Sequence, residues 1–80
     1  MKYYAVYKPH FENNPKETWS FLSLHKDDTL GHSPRNIYNN LLSGESRAEL
    51  LFKMNNHQMA LGIRVDPTLY VLLPEDEVFP

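Results

Sequence analysis

The stretch from Met59 to Pro74 (Met-Ala-Leu-Gly-Ile-Arg-Val-Asp-Pro-Thr-Leu-Tyr-Val-Leu-Leu-Pro) constrains the fold more than any other part of the chain. Met59, Leu61, Ile63 and Val65 alternate with Ala60, Gly62 and Arg64. Period-two spacing of this kind predicts a strand with one buried face. Asp66-Pro67-Thr68 reads as a turn, because proline presets φ and aspartate can bond its own backbone two residues on. A second apolar run, Leu69 to Leu73, follows at once. The pair is expected to be the spine of a small sheet, and the upstream residues must cover it.

Lys2 to Lys8 is aromatic and β-branched and stops before Pro9, which predicts a strand. Tyr4 and Val6 share one face, and Tyr3, Ala5 and Tyr7 the other. With both faces apolar, this strand is either central in the sheet or covered by a partner. Glu12 to Lys16 has the composition of a loop, and Thr18 to His25 that of a second strand. Together the two strands make a long-looped hairpin.

Asp27 to His32 reads as a further loop leading to a helix. Ser33 is placed as its N-cap, Pro34 at its first position, Ile37, Tyr38, Leu41 and Leu42 as its apolar stripe, and Gly44 as its C-terminal cap. Ser46-Arg47-Ala48-Glu49 spells a capping box, which favours a second helix through Leu50, Leu51 and Met54. The competing reading is a hairpin with Ala48, Leu50, Phe52 and Met54 on one face and a turn at Asn55-Asn56. The fold expected is α+β: an antiparallel sheet of about four strands with one or two short helices packed on one face. The 80 residues are expected to form one domain, with 75–80 a flexible acidic tail.

Composition narrows the function classes. The absence of cysteine excludes a disulfide scaffold, thiol catalysis and cysteine-ligated zinc, and suits a cytoplasmic location. No secretory leader pattern and no apolar run of membrane-spanning length is present, so a membrane is not an expected partner. The net charge of −2 argues against a general phosphate-backbone binder. The charge is uneven: four lysines against two glutamates leave residues 1–26 at +2, and four cations against eight acids leave the remainder at −4.

Motifs for chemistry are few. His25, Asp27, Asp28 and His32 supply ligand types for zinc or a harder metal, but their spacing matches no established site. A solvated loop is the expectation there, with no metal and no cofactor. Ser23-Leu24-His25-Lys26 spells Ser-x-x-Lys without the companion motifs that spelling requires, and Ser and Lys three apart on a strand face opposite ways. A small metal-independent ribonuclease needs a base, an acid and a cation, for which His10 or His25 with Glu17, Lys8 and Arg64 are the candidates. A nucleic-acid binder would stack bases on Tyr3, Tyr7 and Trp19, with Lys2 and Lys8 between them.

The favoured expectation is a non-catalytic protein-interaction module. Tyrosine and tryptophan are enriched at interfaces, and the chain has five Tyr and one Trp. The expected interface residues are Tyr3, Tyr7, Trp19, Tyr38, Arg64 and Tyr70, with Glu75, Asp76 and Glu77 steering. The partner is a larger protein, with a homodimer as a variant. A compact cysteine-free chain without a cofactor motif fits the small inhibitors that phages and mobile elements direct at host or defence proteins.

Overall fold

Strand β1 (Tyr3–Tyr7) occupies the middle of the sheet, and its sequence explains why. Tyr-Tyr-Ala-Val-Tyr offers β-branched and aromatic residues on both faces, and Tyr4, Ala5 and Val6 are all buried. A computed structural model describes residues 1–79 of the chain, without the side chain of Tyr38. In it β1 pairs along its length with β5 (Tyr70–Pro74), from Tyr3↔Pro74 to Tyr7↔Tyr70. Its other edge is shared. Val6 pairs with Phe21 of β2 (Ser20–Leu24), while Tyr3 and Tyr4 pair with β4 (Ser43–Gly44). β3 (Leu30–Pro34) closes the far edge in full register with β2, and every pairing between these five strands is antiparallel.

Among the described residues three α-helices complete the α+β domain: α1 (Lys8–Asn13), α2 (Arg47–Asn56) and α3 (Glu75–Val78). The capping-box signal is realised in α2, where Ser46 Oγ accepts from Glu49 N at 3.0 Å. The Glu49 carboxylate reaches back to Glu45 N at 3.2 Å rather than to Ser46. Leu50 and Met54, one turn apart, are buried on one face of the sheet with Ala5, Leu22, Leu30 and Leu42. The opposite face is built from Tyr4, Val6, Phe21, Leu41, Leu73 and Val78. Burial of each such aliphatic or aromatic side chain contributes about 1.5–3 kcal/mol.

Four expectations are corrected. Met59–Val65 is not a strand. A 3-10 turn at Ala60–Gly62 breaks it, with Leu61 at φ +70 and Gly62 at φ +75. Met59 and Val65 rest against the core, but Leu61 and Ile63 point into solvent. An isolated glycine inside an apparent strand marks such a break, because it accepts the positive φ that a turn needs.

The helix expected from Ser33 to Gly44 is also absent. Asp27, Asp28 and Thr29 form a tight turn closed by His25 N–H to Thr29 O at 2.8 Å, and Ser33 and Pro34 belong to β3. Ser33 Oγ donates to the buried Ser23 Oγ across the hairpin at 2.9 Å. Residues 35–40 form 3-10 turns kinked at Ile37. Leu41 and Leu42 are buried on opposite sheet faces, which is the alternation of extended chain and not a helical stripe. Gly44 is a close-approach residue: a Cβ there would stand 2.6 Å from Leu50 N in α2.

The loop expected at Glu12–Lys16 begins as helix, because Pro9 occupies the first turn of α1, where proline is accommodated. Of residues 75–80, expected to be a flexible acidic tail, 75–78 form one turn of helix with Val78 fully buried, Phe79 is edge-on to Tyr4 at 5.3 Å, and Pro80 lies outside the described residues. Arg35 Nη1 donates to Val78 O at 3.2 Å. The apolar pair outweighs the three acids because its burial is worth more than solvating a short charged segment. Among the described residues no helix is long and apolar enough to cross a membrane.

Candidate interaction surface

The aromatic residues singled out from sequence fall into three internal arrangements. Tyr3 is half-buried beneath the Arg47 guanidinium, 4.8 Å from its ring centre, and Arg47 Nε donates to Leu72 O at 3.3 Å. Trp19 packs against the core. Its indole N–H donates to Asn14 O at 3.2 Å, its ring lies 5.2 Å from Phe11, and Lys16 stands over it at 6.0 Å. Tyr7 and Tyr70 are opposite one another on β1 and β5 and join His10 and His32 in a cluster. The side chain of Tyr38 lies outside the described residues.

The Tyr–His cluster is the most concentrated titratable chemistry in the fold. Tyr7 lies between His10, at 5.0 Å, and His32, at 5.4 Å between ring centres. Tyr70 Oη lies 2.6 Å from His32 Nε2, a hydrogen bond in which the phenol donates when that nitrogen carries no proton. The inner side of the His32 ring is covered by these neighbours, and its outer edge is open to solvent. Burial, and then the nearby His10, hold the His32 pKa below the ordinary 6.5. Burial, helped by Tyr7, raises that of Tyr70. His10 Nδ1 is buried without a hydrogen-bond partner.

The residues proposed for RNA cleavage are only partly assembled. His10 has His32 and Tyr7 as neighbours, but Arg64 is engaged by Asn55 O at 3.2 Å, at the far end of α2. Glu17 is exposed in the turn after α1, and His25 lies against Gly31 on β3. The four candidate metal ligands diverge too. Asp27 accepts from Thr29 N and Oγ1 at 3.1 and 2.6 Å, which lowers its pKa, and His32 is taken by Tyr70. Among the described residues no group of three or more His, Cys, Asp or Glu is placed to hold a metal ion.

Two clefts open elsewhere. One, of about 450 Å³, lies between Lys2, Tyr4, Leu41, Glu75 and Phe79. The other, of about 440 Å³, is lined by polar residues, among them Asp27, Asp28, Asn55, Asn56, His57 and Arg64. His57 Nδ1 meets Asp28 O there at 3.1 Å, joining the β2–β3 turn to the end of α2. Neither cleft includes the His10–His32 pair. Of the acids expected to steer a partner, Asp76 and Glu77 are exposed, whereas Glu75 is half-buried and its N–H donates to Lys2 O at 2.8 Å.

The surface that sequence reasoning missed is apolar and largely aliphatic. Leu61 is 96% exposed, Phe52 66% and Ile63 60%, with Leu51 exposed beside Phe52 on the outer side of α2. The turn that carries Leu61 follows α2 directly. It is closed by Met59 N–H to Ile63 O at 2.7 Å and by the Gln58↔Arg64 bridge, and Arg64 is anchored to Asn55 O. Gly62 was the available signal, since two successive residues of positive φ make a tight reversal. No family model matches this sequence, and neither the curated proteins nor the solved structures contain a match to it.

Proposed function

We propose that this chain is a protein-interaction module that binds a larger protein through the Leu61 turn and the outer side of α2, and that it acts there as an inhibitor by covering its partner's surface. The observation that carries the reading is Leu61. It holds φ +70 with its side chain almost wholly in water. A left-handed backbone costs an L-residue about 1–2 kcal/mol, and an exposed isobutyl group recovers none of it by packing. Asn or Gly would satisfy the same turn at lower cost. Ile63 is exposed in the same turn, and Phe52 and Leu51 are exposed along the outer side of α2, the helix that precedes it. The exposed Asp76 and Glu77 add acidic character at a separate site.

The test is affinity capture from the source cells with the tagged wild type and Leu61→Asn side by side. A stoichiometric protein retained by the wild type and lost by the variant is the expected result. Equal capture by both, or no capture by a wild type that stays monomeric in light scattering, overturns the proposal. Concentration-dependent dimerisation abolished by Leu61→Asn would replace the larger partner with a second copy.

A further inference from the structure

The chain carries ten acids against eight lysines and arginines, yet none of the acids falls between Leu50 and Val65. The exposed positions of α2 are Arg47, Ala48, Leu51, Phe52, Asn55 and Asn56, and none is acidic. Spacing by four puts Arg47, Leu51 and Asn55 in one row along the helix. At 1.5 Å per residue that row is about 12 Å long. Asn55 O accepts from Arg64 Nη1 at 3.2 Å, so the row begins at one guanidinium and ends at another.

Both guanidiniums are held in place by the fold. Arg47 lies over the Tyr3 ring at 4.8 Å and gives its Nε–H to Leu72 O, which leaves its two Nη groups for other acceptors. Arg64 is fixed through Nη1 alone, and both residues are exposed. Among the described residues the ion pairs are Met1–Glu45 and Lys53–Glu49, so neither arginine is matched with a carboxylate of its own chain. Asp27 and Asp28 share the polar cleft with Arg64 and offset part of its charge without pairing with it. An arginine already fixed by a main-chain bond has little rotamer freedom left to lose, and its remaining N–H fork matches a carboxylate.

We infer that the partner of this surface is an acidic protein, whose docking face sets carboxylates against Arg47 and Arg64 and an apolar strip against Leu51, Phe52 and Leu61. The place of that partner rests on the Leu61 reading above, whereas the fit of the two arginines to carboxylates does not. The apolar side chains supply the burial. Arg47 and Arg64 supply specificity and speed of encounter, which is what complementary charge contributes most at an interface.

Two end-capped peptides, Glu-Leu-Leu-Leu-Glu and Gln-Leu-Leu-Leu-Gln, test the arginines without any partner. When extended, each places its end residues about 13 Å apart and on the same side. Titrated at low salt into the ¹⁵N-labelled protein, the glutamate peptide should shift the Nε signals of Arg47 and Arg64 and the amides of 47–56, and the glutamine peptide should shift them less. Equal shifts from both peptides, or shifts confined to the lysines of residues 1–26, overturn the inference.

Capture from the source cells with Ala48→Glu and Ala48→Lys tests the partner's charge. Residue 48 is exposed beside Arg47, and both substitutions suit a helix. Glutamate should weaken retention and lysine should strengthen it, each by up to about fivefold, the size of an exposed charge pair. The difference should shrink in high salt. Equal loss in both variants, or the reverse order, overturns the acidic partner and leaves the Leu61 reading intact. Retention abolished by nuclease would put phosphates in place of carboxylates, and overturns it too. No capture by the wild type, with the peptide shifts present, overturns the Leu61 reading and leaves the carboxylate preference of the arginines.

Discussion

The aromatic end of the sheet and the Leu61 turn both bring large side chains to the surface, but only one of them is held by its own neighbours. Tyr7, Trp19 and Tyr70 are half-buried, and each is fixed by a ring contact or a hydrogen bond. Removing one leaves a gap against the core. Leu61 has no such burial and sits in a conformation its residue type disfavours. An aromatic residue that reaches the surface is therefore not by itself a sign of a docking site. Exposure that costs stability is the better sign, since folding alone would not retain it.

The largest effect that separates the two regions is expected from Trp19→Ala. It removes the Phe11 stack, the bond to Asn14 and the packing against Phe21 and its neighbours, and should cost about 2–4 kcal/mol in urea unfolding. A loss under about 0.5 kcal/mol would move Trp19 to the class of Leu61. Tyr70→Phe should cost about 1 kcal/mol at neutral pH, the net worth of one hydrogen bond.

The wild type should also show a pH dependence that His32→Gln reduces. Because the folded His32 pKa is lowered from 6.5, the unfolded chain binds the proton more readily. The His32 contribution is thus fully present above about pH 6.5, and is lost as pH falls from there through the lower folded value. Thermal melts across that range provide the check. A melting temperature that rises on acidification would reverse the assignment.

Smaller effects are expected at the turn, with the opposite sign. Leu61→Asn should stabilise the fold by about 1 kcal/mol or less, because Asn accepts positive φ more easily. Phe52→Ser should change stability by no more than about 0.5 kcal/mol, as ordinary surface substitutions do. Both should nevertheless lose partner capture. A destabilised Leu61→Asn would show that Leu61 packs against something in the free protein, and the contrast between the two regions would fail.

Much of the fold was legible in local sequence. The β1 and β2 strands, the Ser46 cap of α2, the Asp66 turn and the strand that follows it all rest on short-range rules. What misled was alternation around Gly62 and a cap-like Ser33-Pro34 pair. In both places the local pattern was real, but a partner elsewhere in the chain outcompeted it. Pairing of β3 with β2 drew Ser33 and Pro34 into a strand, and the Met59–Leu30 bridge joined only one residue of the Met59–Val65 run to the sheet. The candidate surface was harder to read, because a leucine in a strand and a leucine on a turn tip are spelled alike.

The amino-acid sequence by itself determined an α+β domain with an aromatic first strand and a capped second helix, because these follow from side-chain periodicity and from hydrogen bonds within a few residues. Tertiary structure alone decided which apolar residues are core and which face water. Burial is a property of what stands opposite a side chain, and no local rule supplies that. It placed Val78 inside and Leu61 outside, and it brought His32 to Tyr70 across 38 positions of sequence. The Met59–Val65 run, which reads as a strand with one buried face, is thereby a turn that exposes Leu61 and Ile63.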